Sequence, residues 1–237
     1  MWLPPYRITP VSALQVGAGG GAPAGLWAWF KPETLGGGGT SISQWDDSSG
    51  NARHATQATG GNQPVVAAGE LAGFSAVSAV DETDGLILPS MASLTAGSAF
   101  LVLKTSNDTA THGFPLQASP GGGEGHYPWN STEVYANFGS TSRPMVFDPT
   151  THNIDAWHIL SLHSATNDKR IYIGNVPVFS SGTNTVAFET LPSIMGGNGV
   201  RVWGWIGKIC EITIFDSEMT TGDRNTEYAR LAAKYGL

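Results

Sequence analysis

The sequence predicts an all-β protein, a single antiparallel sandwich with one helix at its C-terminal end. Three observations lead there. Apolar residues recur in short runs of about four to eight, separated by clusters of Gly, Pro, Asn, Asp and Ser, which is the spacing of strands and turns. Gly (31) and Pro (14) together make up about a fifth of the 237 residues, above the globular average but below the range of disordered chains. Charged residues are only 13%, far fewer than a helical protein of this size would carry. With 41% hydrophobic and 10% aromatic residues the chain can bury a sizeable core, and sandwiches of this length fold as one unit.

Residues 1–25 stand apart as an N-terminal arm and Gly-rich hinge, with residues 26–237 forming the domain. Prolines 4, 5, 10 and 23 bracket a Gly-rich run from Gly17 to Gly21, so the segment is extended and then flexible. It carries Trp2, Leu3, Tyr6, Ile8, Val11 and Leu14, too apolar for a purely solvated tail. Either the arm packs on its own domain or it docks on another subunit.

From Leu26 the strand signals follow in order. Leu26 to Lys31 is a short aromatic-rich strand stopped by Pro32, and Asp46 to Asn51 is a dense turn cluster. Ser98 to Lys104 is almost continuously apolar, as in a strand buried on both faces. Glu133 to Phe138 alternates, with Val134, Ala136 and Phe138 inward, and Trp157 to His163 forms another strand. Arg170–Ile173 and Val176–Phe179 flank Gly174-Asn175, the two-residue loop of a primed hairpin turn. Pro177 cannot donate to a ladder, which places the second hairpin strand at a sheet edge. In Lys208 to Phe215, strict alternation puts Cys210, Ile212 and Ile214 on one face, with Cys210 as a buried small hydrophobe. The chain closes on its one convincing helix, in which Thr220 and Asp223 form a capping pair and Tyr228, Leu231, Ala232 and Tyr235 form an apolar stripe stopped by Gly236. About a dozen strands are expected in all.

Three stretches resemble the laminin-G-like, concanavalin A-like jelly-roll superfamily. The first joins Gly25–Phe30 to Trp45-Asp46-Asp47-Ser48-Ser49-Gly50-Asn51 and His54-Ala55. The second joins Trp157–Leu162 to the hairpin that follows it. The third runs from Met195-Gly196-Gly197 through Gly204–Phe215 to Tyr228–Gly236. The likeness covers about residues 25–237 and implies a jelly-roll β-sandwich. Domains of this kind occur in bacterial surface proteins and in structural proteins of tailed bacteriophages. The superfold hosts lectins, glucanases and inert modules alike, so it does not fix a function.

Charge and chemistry narrow the options. A net charge of −7 with 12 basic residues and no basic cluster disfavours nucleic acid. No run approaches the length of a membrane span, and the opening residues lack the pattern of a signal peptide. The lone Cys210 cannot form an internal disulfide, which suits folding in a reducing cytoplasm. Glycoside hydrolysis needs paired carboxylates, but Asp81-Glu82-Thr83-Asp84 reads as a solvated loop and Glu211 stands alone among apolar neighbours. His54, His112, His126, His152, His158 and His163 show no metal-binding spacing, and His158 and His163 fall on opposite strand faces. No nucleophile elbow or phosphate loop occurs. A non-enzyme without a required cofactor is therefore expected.

Two kinds of site remain. Asp46, Asp47 and Asn51 offer hard oxygens for calcium, a frequent ligand in the superfamily this chain resembles, although the same residues also make Asx turns. Tyr127, Trp129, Asn130 and Trp203 lie in aromatic, loop-like stretches suited to stacking on sugar rings, or else to closing the ends of the core. The leading expectation is a structural component of an assembled particle, most simply a phage virion as a head decoration or tail-associated protein, made in the host cytoplasm. Its arm would join it to other virion proteins or to copies of itself. The alternative is a carbohydrate-binding or receptor-binding module.

Overall fold

The computed structural model describes residues 25–106, 113–120, 125–196 and 204–237. The arm residues Trp2, Leu3, Tyr6, Ile8, Val11 and Leu14 lie outside these, as does Trp203. Sixteen strands occur among the described residues: β1 (Leu26–Phe30), β2 (Gln44–Trp45), β3 (Ala55–Thr56), β4 (Val65–Leu71), β5 (Phe74–Ala79), β6 (Leu86–Ile87), β7 (Gly97–Thr105) and β8 (Leu116–Gln117) come first. They are followed by β9 (His126–Asn130), β10 (Glu133–Tyr135), β11 (Met145–Phe147), β12 (His158–Ala165), β13 (Asp168–Ile173), β14 (Val176–Ser181), β15 (Ser193–Ile194) and β16 (Gly207–Phe215). One α-helix, α1 (Thr221–Tyr235), follows. The count exceeds the expected dozen because β2, β3, β6, β8 and β15 are two-residue strands, too short to leave an apolar run in the sequence.

All pairings are antiparallel and build three sheets. The large one runs β14-β13-β12-β7-β16-β5-β4, with β1 also on β16; the others run β2-β3-β6-β15-β8 and β11-β10-β9. The main core draws from all three: Leu101, Leu103 and Ile212 of the large sheet meet Trp45, Leu86 and Ile194 of the second and Tyr127, Val134 and Phe147 of the third. The other face of the large sheet holds a second cluster, with Phe100, Val102 and Ile159 against Leu231 and Tyr235 of α1. β7 is thus covered on both sides, as its unbroken apolar run requires. β14 with Pro177 is an edge strand, and Gly174 takes the positive φ of +58° that the hairpin turn needs.

β16 departs from strict alternation. Ile209 pairs with Leu103 and Glu211 with Val102, so Cys210 is an extra residue in a bulge. The bulge sits where the neighbour of β16 changes from β5, alongside residues 207–209, to β1, alongside residues 212–215. Cys210 therefore faces the helix-side cluster while Ile212 and Ile214 face the main core. The single expected face is corrected to two, because the bulge shifts the alternation by one residue. Cys210 is fully buried, and burial pushes its thiol up to about 12.

The helix begins and ends as its sequence implies. Thr220 Oγ1 accepts the Asp223 N–H at 3.2 Å and donates to the Asp223 carboxylate at 2.7 Å. Gly236, at φ +71°, returns its N–H to the Ala232 carbonyl at 2.8 Å. No helix among the described residues is long and apolar enough to cross a membrane.

Candidate functional site

The Asp46–Asn51 turn is built to hold itself together. The Asp47 carboxylate accepts the Trp29 N–H (2.9 Å), the Ser49 N–H and hydroxyl (both 2.8 Å) and the Arg53 N–H (2.9 Å). Burial pushes its carboxyl up, but the backbone donors of Arg53, Ser49 and Trp29 outweigh that and hold it below its usual value. Asn51 donates its amide to the Leu26 carbonyl at 2.8 Å, and Asp46 accepts from Gln44 at 2.7 Å. Four protein donors already fill the Asp47 oxygens, and the Asn51 side chain presents N–H rather than oxygen to its neighbours. The trio therefore does not fit a calcium ion as it stands, and its geometry is that of an Asx turn fastening β1. No group of three or more His, Cys, Asp or Glu side chains placed to hold a metal occurs among the described residues.

The four aromatic-loop residues separate. The stretch from His126 to Asn130 is strand β9 rather than a loop, with a cis bond between Tyr127 and Pro128. Tyr127 is fully buried, so its ring closes the core instead of offering a face to a sugar. Its hydroxyl lies 2.7 Å from His158 Nε2, while His158 Nδ1 lies 2.9 Å from the Ala156 carbonyl. A carbonyl only accepts, so Nδ1 carries the proton and Nε2 accepts from the tyrosine. Burial lowers the His158 pKa to about 4. Trp129 is half-buried and packs on His126 with ring centroids 4.4 Å apart. Asn130 is half-buried, and its amide oxygen accepts the Thr132 N–H at 2.8 Å while its nitrogen donates to Glu133 at 2.7 Å.

Asn130 nevertheless borders a cleft of about 230 Å³. Three pieces of chain meet there: the end of β7 with Ser106, the β9–β10 turn, and the connection from β11 to β12. The Thr105 N–H donates to the Ile154 carbonyl at 3.0 Å, tying that connection to the large sheet. Pro128, Pro149 and Ile154 give the cleft an apolar floor, and Asn153 and Asp155 stand exposed on its wall. Asn153 uses its oxygen for the Ala156 N–H at 3.2 Å, and its two amide hydrogens have no acceptor among the described residues. The Asp155 carboxylate has no hydrogen-bond or ion-pair partner among the described residues. A free acceptor and a free donor above an apolar floor suit a ligand rich in hydroxyl groups.

Sequence reasoning missed Asn153 and Asp155. The available signal was the run Asp148-Pro149-Thr150-Thr151-His152-Asn153-Ile154-Asp155, a dense cluster of turn formers with hydroxyl, amide and carboxylate groups just ahead of a buried strand.

Glu211, Lys169 and Asp84 are absorbed by the fold. Glu211 is fully buried and far from alone. One of its oxygens accepts from Trp29 Nε1 (2.8 Å) and Arg230 (2.7 Å), the other from Lys234 and the Tyr235 hydroxyl (both 2.7 Å). Arg230 also binds Glu227, which accepts from Thr213 at 2.8 Å. Burial raises the Glu211 pKa, yet the charges of Arg230 and Lys234 hold it below the usual value. Lys169, only 2% exposed, donates to the Ala136 and Ser142 carbonyls, and burial lowers its amine to about 8. Asp84 is also buried and accepts the Val80 N–H at 2.7 Å, so the acidic loop is only partly solvated.

No family model matches the chain, and no curated protein matches its sequence. Solved structures do. Domain 4 of AbnA, a GH43 extracellular arabinanase from Geobacillus stearothermophilus, solved in complex with arabinotriose, is 17% identical with a TM-score of 0.59, over 86% of this chain and 98% of that one. Trypanosoma rangeli sialidase is 14% identical with a TM-score of 0.63, over 88% of this chain. The receptor binding domain of botulinum neurotoxin D is 12% identical with a TM-score of 0.59, over 87% of this chain and 53% of that one. This chain spans only about a third of the sialidase, 33%. Likeness at this identity shows a shared fold.

Proposed function

We propose that the chain is a non-catalytic carbohydrate-binding module on a concanavalin A-like jelly-roll sandwich, with the cleft beside Asp155 as its sugar site. The observation that carries the reading is the likeness to nearly the whole of the arabinanase's domain 4, whose structure holds arabinotriose. The neurotoxin's receptor binding domain is a second example of a binding role on a similar fold. The cleft adds the chemistry: Asp155 accepts hydroxyl protons, Asn153 donates, and the apolar floor takes the carbon-bound face of a sugar ring. Its wall carries one carboxylate, whereas glycoside hydrolysis in its usual form works with two. Anchoring in a virion rests on the sequence alone, on the apolar residues 1–25, the lone Cys210 and the resemblance to phage structural domains, and the module reading stands ahead of it.

A glycan array probed with the full chain tests this, with Asp155→Ala and Asn153→Ala beside it. Oligosaccharide binding that both variants weaken supports the module, while an array without a hit overturns it. Reducing sugar released from a bound polysaccharide overturns the non-catalytic part.

A further inference from the structure

A second cleft, of about 310 Å³, lies beside the first and shares Thr105, Ser106 and Asp155 with it. Its remaining wall comes from β5, β7 and β16, on the helix-side face of the large sheet, and includes Lys104 and Lys208. The two cavities therefore border one another at Thr105, Ser106 and Asp155, one on the rim of the sheet and the other on its helix-side face, and a ligand reaching across Asp155 into both would follow a bent groove. Each alone is near the small end of ligand cavities, which start at about 300 Å³. Both lysines bind the same carboxylate: Glu70 Oε2 lies 3.3 Å from Lys104 Nζ, and Lys208 Nζ pairs with Glu70 Oε1. The lysine side chains remain roughly 30% exposed, at 29% and 30%. Each ammonium has three donors and gives one to Glu70, so both retain N–H groups for a ligand. The charges balance, Lys104 and Lys208 against Glu70 and Asp155, within a chain of net charge −7 that disfavours polyanions.

We propose that the groove is one extended site for a neutral oligosaccharide: the first cleft takes one or two sugar units, Asp155 sits at the junction, and Lys104 and Lys208 donate to the hydroxyls of the units that follow. The proposal rests on the module reading and names the substrate class of that site as linear, neutral and longer than a disaccharide.

The test uses a chain-length series, from disaccharide to hexasaccharide, of the best neutral glycan from the array, titrated by calorimetry. For the wild-type chain, affinity rises on the order of ten-fold between disaccharide and tetrasaccharide and then levels off. The double variant Lys104→Ala/Lys208→Ala binds the disaccharide as the wild type does but loses the gain, and Lys208→Gln retains part of it. Because both changes take a partner from Glu70, the retained disaccharide affinity is the control that the variants are folded. Affinity that is flat with chain length overturns the second subsite while leaving the module reading intact. Preference for acidic glycans, with binding that falls as salt rises, overturns the neutral-ligand assignment. An array with no hit removes both readings together.

Discussion

On the helix side of the large sheet, every charged group near Glu211 is committed to another. Its two oxygens take four donors, and Arg230 and Lys234 each bridge onward, to Glu227 and Glu33. Past the end of β7, on the rim of the same sheet, Asp155 has an exposed carboxylate with no partner among the described residues, beside the free amide hydrogens of Asn153. A buried carboxylate left unpaired would cost several kcal/mol, so the first arrangement is a condition of folding. A solvated carboxylate costs little, so the second is available to a ligand. The contrast separates residues that hold the molecule together from residues that can act outwardly.

The largest effect is expected from breaking the helix-side network. Glu211→Ala leaves the Trp29 N–H and the Tyr235 hydroxyl without their buried acceptor and takes one carboxylate from Arg230 and Lys234, which keep Glu227 and Glu33, and should lower unfolding free energy by about 3 kcal/mol in a denaturant titration. The bulge at Cys210 delivers Glu211 to the helix, so the cleft should be unaffected in whatever remains folded.

Next come the buried bases. Lys169 has its folded pKa lowered from 10.5 to about 8. Between those values the unfolded chain binds more protons, so stability rises as pH climbs from 8 to 10.5 and the full penalty applies below 8. The difference between the wild-type and Lys169→Met slopes should integrate to on the order of 3 kcal/mol, because Cys210, whose thiol burial raises, adds the same opposing slope to both proteins. His158 acts on the acid side. Its folded pKa is lowered from 6.5 to about 4, so its share of the stability present above 6.5 should be lost as pH falls towards 4, and His158→Gln should make that limb shallower while leaving the share of His163, lowered to about 3. Thermal midpoints measured across pH check both.

Smaller still is the helix cap. Thr220→Ala removes the acceptor for the Asp223 N–H, an expected loss of about 1 kcal/mol. At the rim, Asp155→Ala should change stability by no more than about 0.5 kcal/mol, because it leaves nothing unpaired.

The fold was legible wherever local pattern and tertiary environment agreed. The continuous apolar run of β7, the Gly174 hairpin, the Pro177 edge and the capped helix all follow from residue types that tolerate one conformation. The face of Cys210 was not legible, because a bulge changes alternation without leaving a signature residue. Nor was the role of Glu211: its partners arrive from β1 and α1, with Trp29 lying 182 positions away in the chain. The candidate site was legible only at Asn130. Tyr127 looked like an exposed aromatic because its strand is short and contains Pro128, and only the packed structure reveals His158 against its hydroxyl. Asn153 and Asp155 read as turn formers, since nothing in sequence distinguishes a carboxylate that closes its own turn, as Asp47 does, from one that faces outward.

The central claim is that Asp155 belongs to a sugar site and not to the scaffold. It is tested most directly by titrating the full chain and Asp155→Ala with the best oligosaccharide from the glycan array, with the melting midpoint of each recorded beside it. The account expects binding by the wild-type chain, a loss of at least about ten-fold in the variant, and indistinguishable midpoints. Equal affinity in the two proteins, or a loss of binding that comes with a loss of stability, would contradict it.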